Sequence, residues 1–576
     1  MNADKLRARP FPRLVLHFAS LILQTGQESG ASELNLGIGG LLALLAAPGG
    51  FTSILLFDKY SSLLRWLRHR PQMDVYWASL PDKYFFIVLS MVITGLVVVI
   101  KWDKILPGPQ DYTNLAPLPL RARTIFFANL AAIVVLASVF ALDVNAVSAI
   151  LFPGVVLSEK GTFPELFAFV GVHITSVLVA SAFVFFGCFA VMGALMAFLP
   201  NRVFRSVSLF VRLGIIVALI TMLCTSFTVQ PVLRTLARHP DSWMRWLPSL
   251  WYIGLYQSLQ GRTNAVLVSL MWMGLKAAAG AFVLALAFSA LSYRRYFLRI
   301  PESSDASPPA RKWSFGWMQP LFDRWILRDA FQRACYHFGM RALLRSEIHC
   351  IICGAFVGLG LVLASQMAID AQPGGAAIPN ADLLAAPLAV AYLMILGLRF
   401  VFEVPSGLNA NWVYKVILDQ EQHPTRAVAR KMMLTFLVPG VLAPVAIAYS
   451  WVWGVAAGLL HAAYVVALSA VLMEIVLLRF RKIPFTCTLP LFENHALMRV
   501  LIYVIGFFVF TNLAGAMESW MLRDPVRFAI VPVLLVLCWD LLRRIRRDTP
   551  EVDARLIYEE SAAREVQALN ILSKVN

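Results

Sequence analysis

Apolar runs long enough to cross a bilayer recur from Leu36 to the C-terminal region, and they constrain this chain more than any single motif does. A hydrocarbon core about 30 Å thick is crossed by about 20 apolar residues of helix. The core offers backbone groups no water, so an open chain must cross it as helix. The short alternating strands of a barrel are absent from the sequence. Twelve spans are expected, at 36–57, 84–100, 124–156, 166–198, 206–229, 265–291, 347–369, 385–403, 433–449, 452–478, 500–516 and 527–542. The first carries Pro48-Gly49-Gly50 and reads as a candidate re-entrant segment, while the two around Ser450 have almost no turn between them. Composition agrees, with 59% hydrophobic and 14% charged residues against roughly 45–50% and about 25% in soluble domains. The expected fold class is an all-α polytopic membrane protein of about twelve transmembrane helices in two parallel six-helix halves.

Charge orients the spans, because Lys and Arg near span ends stay on the cytoplasmic side. With both termini inside, 35 of the 50 Lys and Arg fall in inner segments and 12 in outer ones. Arg212, Lys276 and Arg399 lie within spans. This accounts for most of the net charge of +17, so no nucleic acid partner is called for, and the basic inner face suits anionic lipid. The seven cysteines sit mostly within or beside spans, where no oxidised framework is expected. The basic N-terminus precedes a weak apolar stretch and lacks the small-residue cleavage site of a secretory signal. The expected location is a membrane crossed many times, with both termini cytoplasmic.

Residues 292–345 break the apolar pattern with Ser, Pro and ten basic residues. The expected organisation is a first transmembrane half at 1–291, a cytoplasmic linker with an amphipathic helix at 292–345, a second half at 346–545 and a cytoplasmic tail at 546–576. Trp317, Leu321, Phe322, Trp325 and Ile326 would lie on the membrane in that linker. Both halves would start and end inside, which relates them by an axis along the membrane normal. The aromatic segment at 231–256 reads as a helix anchored in the outer interface or as a re-entrant gate.

The chain has no phosphate loop of the G-x-x-x-x-G-K-[ST] type and no G-x-G-x-x-G after a strand, so energy for any transport must come from elsewhere. His349, Cys350 and Cys353 could supply three zinc ligands, yet cysteines on an apolar helix commonly act as small hydrophobes. Ionisable groups inside spans tend to mark pathways, which makes Asp143, His173, Lys276, Arg399 and Glu474 a candidate translocation path, with His461 also inside a span. No catalytic, cofactor-binding or metal-binding residue is assigned. Between the second and third spans, Pro107, Pro109, Pro117 and Pro119 fix φ and forbid continuous helix. They present Leu115, Leu118 and Leu120 on a stiff turn rimmed by Arg121 and Arg123. The corresponding loop of the second half, 403–431, carries Asn409, Asn411, Trp412 and Tyr414.

The phrase DYTNLAPLPLRARTIFFANLAA, beginning at Asp111, resembles the segment after the second span in permease subunits of type-2 ABC exporters. The six spans and the aromatic segment before the sixth extend that likeness over 36–291. The phrases ANWVYK and RKIPFTC in the second half resemble segments of double-length bacterial permease-like chains. The resemblance implies an exporter permease moving a hydrophobic or amphipathic substrate outward, with ATP bound by a separate ABC ATPase subunit and no cofactor here. By the same resemblance, Asp111, Leu115, Pro117, Leu118, Pro119 and Arg121, with Asn411 and Trp412 in the second loop, would couple to that ATPase. The usual subunit has one six-span half, so fusion of two unlike halves is a departure.

Two other readings stay open. An ion-coupled secondary transporter of twelve spans accommodates the buried charges, although KWDKILPGPQDY lacks that class's G-x-x-x-D-R-x-G-R-type loop. A membrane enzyme acting on lipid-linked substrates would need clustered acids in an outer loop, and Asp58, Asp74 and Asp82 are widely spaced.

Overall fold

The structure is a computed structural model that describes residues 10–23, 38–67, 74–102, 122–158, 162–239, 242–262, 264–296, 327, 329–370, 379–406, 425–478, 480, 483–486 and 496–547. The described residues form helices and no strand. They divide into two compact units, and the division falls between the helix ending at Tyr296 and the one starting at Ala330.

The first unit contains α1 (Pro10–Leu23), α2 (Ile38–Leu67), the single turn α3 (Val75–Ala78), α4 (Leu80–Ile100), α5 (Ala122–Val156), α6 (Phe163–Phe198), α7 (Asn201–Cys224), α8 (Val229–Arg238), α9 (Pro248–Leu259) and α10 (Ala265–Tyr296). The second contains α11 (Ala330–Arg345), α12 (Glu347–Asp370), α13 (Ala381–Val401), α14 (Thr425–Leu437), α15 (Ala443–Trp453), α16 (Val455–Val476), α17 (Ala496–Phe508), α18 (Ala514–Leu522) and α19 (Ile530–Arg547). Among the described residues, ten helical stretches are long and apolar enough to cross a membrane, five in each unit. The chain is therefore an all-α polytopic membrane protein. The other two expected spans are helical as well, as α2 and α19, and α19 ends in the basic run Arg543, Arg544, Arg546 and Arg547.

Several sequence expectations change form. Pro48-Gly49-Gly50 does not turn the chain back; α2 runs unbroken through it. The glycines instead admit α5, since a Cβ on Gly50 would stand 2.8 Å from a Val147 methyl and one on Gly49 3.2 Å from Ser148 Cβ. Thr52 and Ser53 hydroxyls donate to the Pro48 and Gly49 carbonyls one turn back. Around Ser450 the turn shrinks to one residue, Gly454, at φ +88°, a conformation that penalises any side chain. Before it, Pro439 is taken up in a π turn at Val438–Leu442, which continues α14 into α15.

In each unit the second expected span is the central one. Its apolar window is 67% buried in α4 and 83% in α13, above every other candidate span of its own unit. Both are mostly apolar around their circumference, as a helix enclosed by other helices tends to be, although α4 also buries Asp82, Lys83, Ser90 and Thr94. The linker helix is not a free surface element: α11 packs on α14, with Gly339 beside Met432 and the Tyr336 hydroxyl 2.8 Å from that of Thr435. The expected linker aromatics at 317–326 and the tail at 548–576 lie outside the described residues.

Candidate functional site

The expected coupling residues Asp111, Leu115, Pro117, Leu118, Pro119, Arg121, Asn411 and Trp412 lie outside the described residues. What flanks the first of these segments is described. At the end of α4 the Trp102 ring is 1% exposed and lies under the Arg212 guanidinium of α7, 5.5 Å from the ring centre. On the far side, α1 is amphipathic and seats Leu14 and Phe18 against Ile125, Ala128 and Ala132 at the start of α5. The chain is thus anchored firmly where the segment leaves and where it returns. The second loop leaves from a comparable anchor. Ile483, Pro484, Phe485 and Thr486 are buried, the Phe485 N–H donates to the Phe402 carbonyl, and the Ser406 N–H donates to that of Phe485. Phe485 holds φ +70° to do so.

The five candidate path residues do not form one relay. In the first unit, His173 of α6 is fully buried with Nδ1 2.9 Å from the Tyr256 hydroxyl. Asp143 of α5 is half-buried, with Oδ2 buried and lacking a hydrogen-bond partner, and Lys276 of α10 is exposed. In the second unit, Glu474 accepts from Arg426 at 2.7 Å and Arg430 at 3.0 Å. Arg399 pairs with Glu403, donates to the Val476 carbonyl and lies over the Phe480 ring. These charges tie the C-terminal ends of α13 and α16 to α14.

The most concentrated chemistry lies at the start of α4, where the sequence reading set Asp74 and Asp82 aside as widely spaced and passed over Lys83. Lys83 is completely buried, yet its ammonium donates only to neutral oxygens, the Tyr76 carbonyl at 2.7 Å and Gln260 Oε1 at 2.6 Å. Rings of Tyr76, Phe169 and Tyr256 surround it at 5.3–5.4 Å, a cation–π cage. Neighbouring Asp82 accepts from Lys59 and from the Tyr60 hydroxyl at 2.6 Å. Burial first, then the Asp82 charge, pushes the Tyr60 phenol far above its ordinary value, so it stays a neutral donor. Asp74 caps α3 and pairs with Arg262, whose guanidinium covers the other ring neighbour, Tyr76. Helices α3, α4, α6 and α9 meet here, because the aromatic segment supplies α9 as a buried helix with Tyr252, Ile253, Leu255 and Tyr256 inside the unit. Trp243 and Trp246 before it are exposed.

From this cluster polar groups continue inward along α4. Lys83, Ser90 and Thr94 are spaced by seven and four, which puts them on one helix face. Ser90 bonds Ser181 of α6 at 2.5 Å and accepts from Asn145 of α5 at 2.8 Å. Thr94 Oγ1, Ser176 Oγ and both amide atoms of Gln257 are buried without a hydrogen-bond partner. The available sequence signal was the pair Asp82-Lys83 just behind Pro81 at a span start.

His349 does not present a free ligand: Nδ1 meets Ser346 Oγ at 2.5 Å and Nε2 the Val404 carbonyl at 2.9 Å. Cys350 Sγ points to the Leu343 carbonyl, 3.2 Å away. Among the described residues no three His, Cys, Asp or Glu side chains are grouped to hold a metal. No family model, curated protein or solved structure matches the chain.

Proposed function

We propose that this chain is the membrane-spanning permease of an exporter, moving a hydrophobic or amphipathic substrate outward under the drive of a separate ABC-type ATPase. The observation that carries the reading is the file of buried polar groups down the central helix α4, from Lys83 through Ser90 to Thr94. Buried polar and ionisable groups in spans are costly and mark passages for substrates or ions. The sequence contains no nucleotide-binding loop, so the motor is a partner. The proline-rich segment at 103–121 is its dock, and the Trp102–Arg212 and α1–α5 anchors at its two ends let a push on it tilt α4 and α5. In this reading the 103–121 end and both termini lie in the cytoplasm, an orientation supported by the 35 of 50 Lys and Arg that then fall in inner segments, and the Lys83 cluster lies on the outer side of a bacterial inner membrane.

The test is a double substitution, Leu118→Ala with Arg121→Ala, in the full chain purified from its own cells. Wild type carries along a polypeptide that hydrolyses ATP, and the variant inserts normally but loses at least about nine-tenths of that activity. Undiminished co-purification would remove the docking role.

An ion-coupled transporter is the second reading, favoured by the fully buried pair His461 and Glu518 in the second unit. It predicts transport that persists without any ATPase and collapses with the ion gradient.

A further inference from the structure

The export reading leaves one pair of ionisable side chains unused. His461, near the start of α16, and Glu518, on α18, are both 0% exposed, with Nδ1 and Oε1 2.7 Å apart. Their outer atoms, His461 Nε2 and Glu518 Oε2, are buried and have no hydrogen-bond partner. The Tyr449 ring of α15 covers the imidazole at 4.5 Å and Trp453 flanks it at 6.4 Å. The facing phenols are committed elsewhere, Tyr449 to the Leu383 carbonyl and Tyr464 to that of Ala514. Among the described residues no other charged side chain forms a hydrogen bond or ion pair with these two, and Asp524 and Arg527, next to the end of α18, pair with each other. In α13, Asp382 is exposed and Arg399 lies at the opposite end; α19 has no charge before Asp540; Arg523, beyond α18, is exposed; α15 has none.

A carboxylate beside a neutral imidazole would leave one uncompensated negative charge in an apolar bundle, which is strongly disfavoured. One proton between Nδ1 and Oε1 removes that charge, whether it resides as imidazolium–carboxylate or as imidazole–carboxylic acid. We infer that His461 and Glu518 form a proton-binding site, loaded with one proton while the bundle is closed and emptied when water enters the ends of α15, α16 and α18. On opening, water meets the two unpartnered atoms, the N–H bond at Nδ1 breaks, and its proton leaves as hydronium. A neutral imidazole and a hydrated carboxylate remain, and closure reverses the step. This goes beyond the export reading and does not depend on the ATPase.

Proton counting tests it. Full-length protein is denatured at about pH 8 in weakly buffered indicator, where free His is neutral and free Glu ionised. Wild type releases one proton more per chain than Glu518→Gln. His461→Gln also releases it, because its isolated carboxyl must stay protonated. If either single variant fails to fold, the double variant His461→Gln/Glu518→Gln keeps an amide–amide hydrogen bond and gives the same deficit as Glu518→Gln. Equal release by wild type and the Glu518→Gln or double variant would overturn the site. Loss of the ATPase on Leu118→Ala/Arg121→Ala leaves the proton count unchanged, which separates this inference from the export reading.

Discussion

Lys83 ties several segments of the first unit together. Its ammonium satisfies two carbonyl-type oxygens from different segments and fills an aromatic cage. Lys83→Ala therefore removes a buried side chain and orphans two acceptors, and should lower stability by about 2–5 kcal/mol. Lys83→Met keeps the volume and should cost about half as much. Thermal unfolding in detergent distinguishes the two, and equal, negligible shifts would mean the cage is not built around this cation. Cys335 of α11 gives a pH prediction. Burial, and after it the Asp329 charge, pushes its thiol up to about 11. In a variant keeping Cys335 as its single cysteine, maleimide labelling should stay slow at pH 9 and rise only toward 11. Because the folded thiol holds its proton longer than the unfolded one, stability from this group is full below about 9 and is lost as pH rises toward 11. Labelling at the rate of an exposed thiol at pH 9 would contradict this. Lys83 itself was not legible in the sequence. Its partners come from positions 76, 169, 256 and 260, and a lysine at a span start ordinarily snorkels to water.

At the scale of elements, the apolar runs made the spans readable, since length and hydropathy depend on neighbours in the chain alone. Close approaches were not readable, because they depend on which helix lies opposite. Gly397 in α13 shows this: a Cβ there would stand 2.6 Å from Phe356 Cβ of α12, whereas Gly280 of α10 has nothing within 4 Å. Gly397→Val should cost about 1–3 kcal/mol by overpacking, and Gly280→Ala should be neutral or slightly stabilising through helix propensity. Melting temperatures of the purified variants check the pair, and the reverse order would refute the packing. The same distinction explains α9. Its aromatic composition suited an interface equally well, and only its burial among α4, α6 and α10 separates Tyr252 and Tyr256 from the exposed Trp243 and Trp246.

At the scale of the molecule, each unit encloses its second expected span more than any other candidate span, although the sequences of the two units barely match. The units differ in what they bury: a polar file along α4 in the first, and a His–Glu pair with an arginine girdle around Glu474 in the second. Under the two proposals, the first interior serves substrate passage and the second proton binding. Lys276 stays outside both arrangements as an exposed cation on α10. The export proposal requires the 103–121 segment to face the cytosol and the Lys83 cluster to face outward. The most direct measurement places single cysteines at Leu118 and at exposed Trp246 and treats cells with a membrane-impermeant maleimide. The account predicts labelling of position 246 in intact cells and of position 118 only in inverted vesicles. Labelling of position 118 from outside intact cells would contradict it.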